Sequence, residues 1–213
     1  MKTKILLILT VALMAGCTSP NRIIDTHIHL YDTSRPEGVP WPPPDDDVLY
    51  RPTVARHFDA ICEANGVTAT VIVEASDRVE DNQWVLDLVK HNPKRYIGLV
   101  GNLPIGTPQF AKHLERFAKD KRFVGLRLRS WPEGVTGFND AVWRDLKLLS
   151  DKGLTLDVLM SSYDLDDIVL IAKRLPKLKI LINHLTGLII NGVPAEAAWT
   201  KKVQTAAKYP NVY

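Results

Sequence analysis

Short apolar runs alternate with amphipathic stretches six times along this chain, from residue 23 to residue 208. The apolar runs are rich in β-branched residues, as in Val67 to Val73, and such runs are typical of strands. The amphipathic stretches carry helix start signals, such as Thr53 before the first and Thr107 before the third, and stop signals, such as Gly66 after the first and Pro176 after the fifth. Regular alternation of strand and helix predicts a parallel sheet with helical crossovers.

Two architectures satisfy this alternation, a doubly wound sheet and a (β/α)8 barrel. A doubly wound sheet of the dinucleotide-binding kind carries a glycine-rich turn after an early strand, and no such turn follows Ile28 or Val73. The sequence therefore predicts an α/β fold, an incomplete (β/α)8 TIM barrel of about six βα units. Asn211 to Tyr213 has the pattern of the first residues of a seventh strand. The predicted strands are Ile23–Ile28, Val67–Val73, Tyr96–Val100, Phe123–Leu128, Leu154–Met160 and Leu178–Ile182.

The first sixteen residues have the pattern of an export signal. A basic start is followed by an apolar stretch from residue 5 to residue 13, which is shorter than the roughly 20 residues that a membrane span needs. The stretch ends in Leu-Met-Ala-Gly before Cys17, which resembles a bacterial lipobox. That resemblance implies cleavage before Cys17, lipidation of its sulfur, a tether over residues 17–22 and a place on the periplasmic face of the outer membrane. The alternative is an ordinary signal peptide in which the cysteine falls by chance.

The composition excludes a disordered tail, a collagen-like fibre and a polytopic membrane protein. Hydrophobic residues make up 46% and charged residues 24%, close to the average for soluble globular proteins. The net charge of +3 is too small to indicate a nucleic-acid partner, and two of the lysines lie in the leader. Two cysteines provide no disulfide framework. We expect a small-molecule partner, contact with the membrane only through the anchor, and the possibility of a homo-oligomer.

Polar residues fall near the carboxyl ends of the predicted strands, on the face that points into a barrel. Side chains alternate between the two faces of a strand, so Arg127 and Arg129 share one face and oppose Leu126 and Leu128. Buried charge is costly unless it is paired or bound, and barrel enzymes place their chemistry at the mouth where the strands end. The candidate residues are His27, His29, Glu74, Arg127, Arg129, Asp157 and His184.

The strongest motif is Asp25-Thr26-His27-Ile28-His29 at the end of the first strand. Two histidines two residues apart place both imidazoles on one face, where they can share a Zn²⁺ ion. Asp25 lies on the same face and is a candidate acceptor that orients a ligand ring. A hydrogen-bonded pair of core histidines would give the same pattern.

The stretch "IIDTHIHLYD", with the proline-rich "PWPPP" loop after it, resembles the amidohydrolase-related family of metal-dependent hydrolases. "VGLRLRSW", "LTLDVLM" and "ILINHLTG" lie where that family has further site-bearing strands. The resemblance implies hydrolysis of a lactone of a sugar acid or related carboxylate, with a decarboxylase of the same superfamily as an alternative. It also implies a divalent metal, preferably zinc, although some lactonases of this group are thought to work without one.

The resemblance, together with the strand pattern, gives each candidate residue a hypothetical role. His27, His29 and His184 would be metal ligands, and His184, Asp157 and Arg127 would be catalytic. Arg129, Glu74 and Trp41 would contact substrate, with Trp41 and Trp131 in loops at the mouth. Pairing of the two arginines with Glu74 and Asp157 in a purely structural role is the competing interpretation.

Two departures from the family pattern affect these expectations. Asn183 replaces the usual aspartate before the sixth-strand histidine, and the sequence stops as the seventh strand begins, before the family's eighth-strand aspartate. A barrel with open edges exposes unpaired backbone. We therefore expect this chain to be inactive, poorly soluble or self-associating, or to be a lipid-anchored module that binds a ligand without turnover.

Overall fold

The computed structural model describes residues 22–129, 131, 133–159 and 164–213. The predicted signal peptide, Cys17 and the tether up to residue 21 lie outside the described residues, as does Met160 at the predicted end of the fifth strand. Among the described residues, no helix is both long and apolar enough to cross a membrane.

Six strands and six α-helices alternate along the described chain, as predicted. The strands are β1 (Ile23–Ile28), β2 (Val67–Val73), β3 (Tyr96–Gly101), β4 (Phe123–Leu128), β5 (Thr155–Val158) and β6 (Lys179–Ile182). The helices are α1 (Ala55–Asn65), α2 (Val79–Leu88), α3 (Phe110–Phe117), α4 (Asp140–Asp151), α5 (Leu165–Arg174) and α6 (Ala197–Ala206).

The strands form one parallel sheet in the order β1-β2-β3-β4-β5-β6. A strand order that follows the sequence without reversal has no topological switch point, so the doubly wound alternative is excluded. Six consecutive parallel strands make a half-barrel, which confirms the incomplete TIM barrel. Val212 adds a parallel bridge to Ile180, where the sequence predicts a seventh strand to begin.

The two faces of the sheet differ in polarity. On one face Leu126, Leu156 and Ile180 are register neighbours and are completely buried beneath the helices. On the other face Arg127 lies beside Asp157 in register. Because side chains alternate along each strand, the residues that build the core under the helices also fix which residues point into the barrel.

A helix start differs from the prediction where the side chain expected to cap the helix makes a different hydrogen bond. Asn139 caps α4 by accepting from the backbone N–H groups of Ala141 and Val142. Thr107, predicted to cap the third helix, instead donates its hydroxyl to the carbonyl of Pro104, and the helix begins three residues later. A Ser or Thr side chain that bonds to nearby backbone favours a turn over a helix start.

Candidate active site

The HxH motif lies at the carboxyl end of β1 with both imidazoles close together. The ring centroids of His27 and His29 are 5.1 Å apart, and the ring of His184 lies 4.9 Å from that of His27. His184 comes from the 3₁₀ turn that follows β6, so two sequence-distant elements meet here. Asp25, predicted to orient an imidazole, accepts from the backbone N–H of His27 at 3.1 Å.

Hydrogen bonds fix the state of two of the three rings. His29 Nδ1 lies 2.9 Å from the carbonyl oxygen of Val73, so Nδ1 carries the proton and Nε2 keeps a free lone pair. Arg127 Nη2 donates to His184 Nε2 at 3.1 Å. Because a guanidinium has no acceptor, His184 Nε2 must be the acceptor and its proton must be on Nδ1.

Burial and the nearby cation keep these rings neutral. Burial, the His29 ring and Arg127 lower the pKa of His27 to about 4. Burial and Arg127 also lower the pKa of His29 and of His184. At neutral pH the cluster therefore offers uncharged imidazole nitrogens, and among them the buried His27 Nε2 has no hydrogen-bond partner.

Arg127 is buried at the centre of a network that joins the carboxyl ends of four strands, β2, β4, β5 and β6. Its Nε donates to Asn183 Oδ1 at 3.1 Å, and Asn183 Nδ2 donates to Asp157 Oδ2 at 3.2 Å. Its Nη1 lies 4.0 Å from Glu74 Oε1. Burial raises the pKa of Asp157, while the charge of Arg127 opposes that rise. The amide at position 183 thus bridges a carboxylate and a cation where a second carboxylate would repel the first.

Glu74 and Arg129 form a bidentate ion pair. Arg129 Nε donates to Glu74 Oε1 at 2.9 Å, and Arg129 Nη2 donates to Glu74 Oε2. Both carboxylate oxygens are therefore occupied by protein. This is the pairing that the structural interpretation of these charges predicts.

A cavity of about 270 Å³ opens beside these groups at the carboxyl ends of the strands. Asp157 is not among its lining residues, because it lies behind Arg127 next to Asn183. Trp131, expected at the mouth, is not among its lining residues either, and packs against Phe138 with 5.2 Å between the ring centroids. The cavity is lined by His29, Trp41, Glu74, Ala75, Arg127, Arg129, Leu159 and His184.

The histidine spacing matches part of a metal site. Two imidazoles on a tetrahedral zinc ion have ring centroids about 5 Å apart, and His27 and His29 have this spacing. Nε2 of His29 has a free lone pair, and Nε2 of His27 has no hydrogen-bond partner. Nevertheless, across the described residues no group of three or more His, Cys, Asp and Glu side chains is arranged to hold a metal ion. His184 has the spacing of a third ligand, but its Nε2 accepts from Arg127.

Sequence reasoning did not identify Arg35 or the bridging geometry of Asn183. Arg35 lies in the proline-rich loop and bonds to Asp81, 46 residues further along the chain. A contact at that separation leaves no periodic or motif signal in a single sequence.

The amidohydrolase family model matches residues 24–213, nearly all of the described chain. The chain belongs to the amidohydrolase family. An L-fucono-1,5-lactonase from Burkholderia ambifaria is 25% identical over 197 residues, which cover 89% of this chain and 65% of the lactonase. This chain therefore spans about two thirds of the length of that relative.

Solved structures of an amidohydrolase and of a decarboxylase share the fold. A zinc-bound amidohydrolase from Burkholderia multivorans has a TM-score of 0.70 at 19% identity, over 90% of this chain and 68% of the other. A manganese-bound 5-carboxyvanillate decarboxylase from Novosphingobium aromaticivorans has a TM-score of 0.58 at 14% identity, over 78% of this chain and 65% of the other. Because hydrolases and decarboxylases share the fold, the choice of reaction depends on the site.

Proposed function

We propose that this site hydrolyses the lactone of a sugar acid or a related small carboxylate. The observation that carries the proposal is the convergence of two neutral imidazoles, those of His29 and His184, and the buried Arg127 at one cavity, with the His27 ring in contact with both imidazoles. The cavity volume of about 270 Å³ suits a small ring rather than a polymer. The sequence relationship to an L-fucono-1,5-lactonase supports this substrate class.

Arg127 supplies the electrophilic part of the reaction. Its Nε and Nη2 are held by Asn183 and His184, and its Nη1 is the nitrogen left to donate to a substrate oxygen. A donor fixed before the reaction stabilises the oxyanion that forms when water attacks the lactone carbonyl. Asp157 supports this role from behind, since its carboxylate favours the charged form of Arg127.

His27 and His184 have different roles in the proton transfers. Nε2 of neutral His27 has no hydrogen-bond partner, and in the tautomer that leaves this nitrogen unprotonated it accepts a proton from the attacking water. His184 keeps its proton on Nδ1 because Nε2 accepts from Arg127, so Nδ1 donates a hydrogen bond to the leaving ring oxygen, and the proton that His27 took from the water is returned to that oxygen through solvent. Trp41, whose ring lies 5.1 Å from that of His29, provides an apolar wall for the substrate ring.

If a divalent metal, preferably zinc, is bound, His27 and His29 are the residues that would hold it at Nε2, and His27 would then be a ligand instead of the base. A bound zinc would make water a better nucleophile by lowering its pKa. His184 as a third ligand stays a prediction.

A lactone panel that includes L-fucono-1,5-lactone tests the proposal. Proton release is followed at pH 7 with the chelator-treated protein and after addition of Zn²⁺. We expect ring opening above the spontaneous rate for at least one lactone, its loss in His27→Gln, and its retention in His113→Gln on α3. If no lactone is opened faster than in buffer, with or without Zn²⁺, the proposed reaction is wrong.

We also propose that Cys17 carries a lipid that anchors the protein to the periplasmic face of the outer membrane. The support is the export pattern of residues 1–16 followed by the cysteine. Labelling of cells with an alkyne fatty acid should mark the wild type and Cys62→Ser, but not Cys17→Ser. Equal labelling of Cys17→Ser would contradict the anchor.

A further inference from the structure

We propose that Arg35, which lies outside the site cavity, is a positioning residue that holds Trp41 against His29 and thereby sets the affinity for a ring-shaped substrate. The substrate part rests on the proposed function. The positioning part rests on contacts within the chain alone.

Arg35 ties the proline-rich loop to α2 through a shielded ion pair. Its Nη2 donates to Asp81 Oδ1 at 2.8 Å, and the two side chains are only 16% and 11% exposed. Its guanidinium carbon lies 4.7 Å from the ring centroid of Trp84, also on α2. An ion pair shielded from water and stacked on an indole is stronger and less sensitive to salt than an exposed pair.

Trp41 lies six residues further along the loop. It is the residue through which the Arg35–Asp81 ion pair affects the site. Its ring centroid lies 5.1 Å from that of His29 and 5.5 Å from that of Tyr31, and the indole lines the site cavity. Between the two, the carbonyl of Gly38 accepts from Arg78 Nη1 at 2.9 Å. The ion pair of Arg35 and the hydrogen bond to Gly38 therefore both hold the loop in place just before Trp41.

Packing alone does not fix this part of the loop. A void of about 20 Å³ lies behind the indole, lined by residues that include Arg35, Trp41, Trp84 and Glu74. A void of this size has room for about one water molecule, so the packing around Trp41 is looser than in a close-packed interior. The polar tie through Arg35 is therefore what selects the position in which Trp41 contacts His29.

Loss of the tie should weaken substrate binding more than chemistry. Trp41 contributes a wall for the substrate ring, whereas His27 and Arg127 are held on strands that do not depend on the loop. A change confined to binding raises KM with little effect on kcat.

A spectroscopic test of the positioning needs no turnover. Arg35→Met is compared with Trp41→Leu, in which the ring current of the indole on His29 is removed. We expect the His29 ring-proton signals of Arg35→Met to move toward those of Trp41→Leu, and those of Arg35→Lys to move less. Arg116→Met is the matched control, because Arg116 pairs with the neighbouring Glu80 of α2 but lies on α3 away from the loop. Its His29 signals should equal those of the wild type.

The kinetic test uses L-fucono-1,5-lactone. We expect Arg35→Met to raise KM about tenfold while kcat stays within about twofold, and Arg116→Met to change neither. Unchanged His29 signals in Arg35→Met, or a fall in kcat at constant KM, would overturn the inference. If the wild type opens no lactone, the proposed function fails while the His29 signals still decide the positioning.

Discussion

Arg127 shows most clearly how one residue links the fold to the proposed chemistry. It is buried on the inward face of β4, where charge is costly, yet it bonds to Asn183 and His184 and lies near Glu74. Asn183 and His184 follow β6 and Glu74 follows β2, so the register of the sheet determines this network. The contacts of Arg127 therefore depend on the barrel fold and are also part of the site.

We predict that Arg127→Met lowers kcat/KM for lactone opening about 100-fold or more, because removal of one preorganised oxyanion donor typically costs that much. Arg127→Lys, which keeps the charge but lacks the planar fork, should recover only part of the rate. Steady-state kinetics on both variants checks this. A kcat/KM near that of the wild type in Arg127→Met would remove Arg127 from the reaction.

The lowered pKa of His27 predicts a pH dependence of stability. The pKa is about 4 in the folded chain and near its ordinary 6.5 in the unfolded chain. Between these values the unfolded chain binds a proton that the folded chain does not, so the free energy of unfolding falls as pH falls from 6.5 toward 4. Urea unfolding at a series of pH values should show a shallower fall in His27→Gln. An identical fall in both proteins would contradict the assigned pKa.

At the scale of the elements, the alternating pattern of the sequence predicted the strands and their inward residues well. The bounds of β1, β2 and β4 are those predicted. Helix ends were less predictable. Thr53 has a capping side chain, but its backbone pairs with Tyr31, so α1 begins after Val54 instead.

Asn211 joins the end of α5 to the start of the predicted seventh strand. Its buried Nδ2 donates to the carbonyls of Ala172, Leu175 and Leu178. Asn211→Ala leaves buried carbonyl groups without this donor, so we predict a loss of about 1–3 kcal/mol in the free energy of unfolding. Urea denaturation at pH 7 measures it.

Asn65→Ala is the control for Asn211, because the exposed Asn65 Nδ2 also donates to a carbonyl, that of Ile61. It should cost less than about 0.5 kcal/mol. Equal losses in the two variants would show that Asn211 has no special role in joining these elements.

At the scale of the whole molecule, the family and the half-barrel followed from the sequence, whereas the contacts within the site did not. The HxH motif predicted that His27 and His29 share a face. The bridging of Asp157 and Arg127 by Asn183 depends on the register of β4, β5 and β6 relative to one another. No local pattern in a single sequence predicts that register. The same applies to the tie between Arg35 and α2.

The outer edge of β1 predicts self-association. Among the described strands β1 pairs with β2 alone, and Ile23 and Ile24 at its start are 49% and 39% exposed. An open apolar edge is a template for pairing with another chain. Sedimentation velocity should show association that rises with protein concentration and weakens in Ile24→Lys. A monomer at all concentrations in both proteins would contradict this.

The most direct test of the central claim is an NMR titration with L-fuconate, the acid that opening of L-fucono-1,5-lactone produces. If His27, His29, Arg127 and His184 form one site, their side-chain signals should all shift and should give one common dissociation constant. Shifts confined to one of these residues, separate dissociation constants, or no shift at all would contradict a shared hydrolytic site.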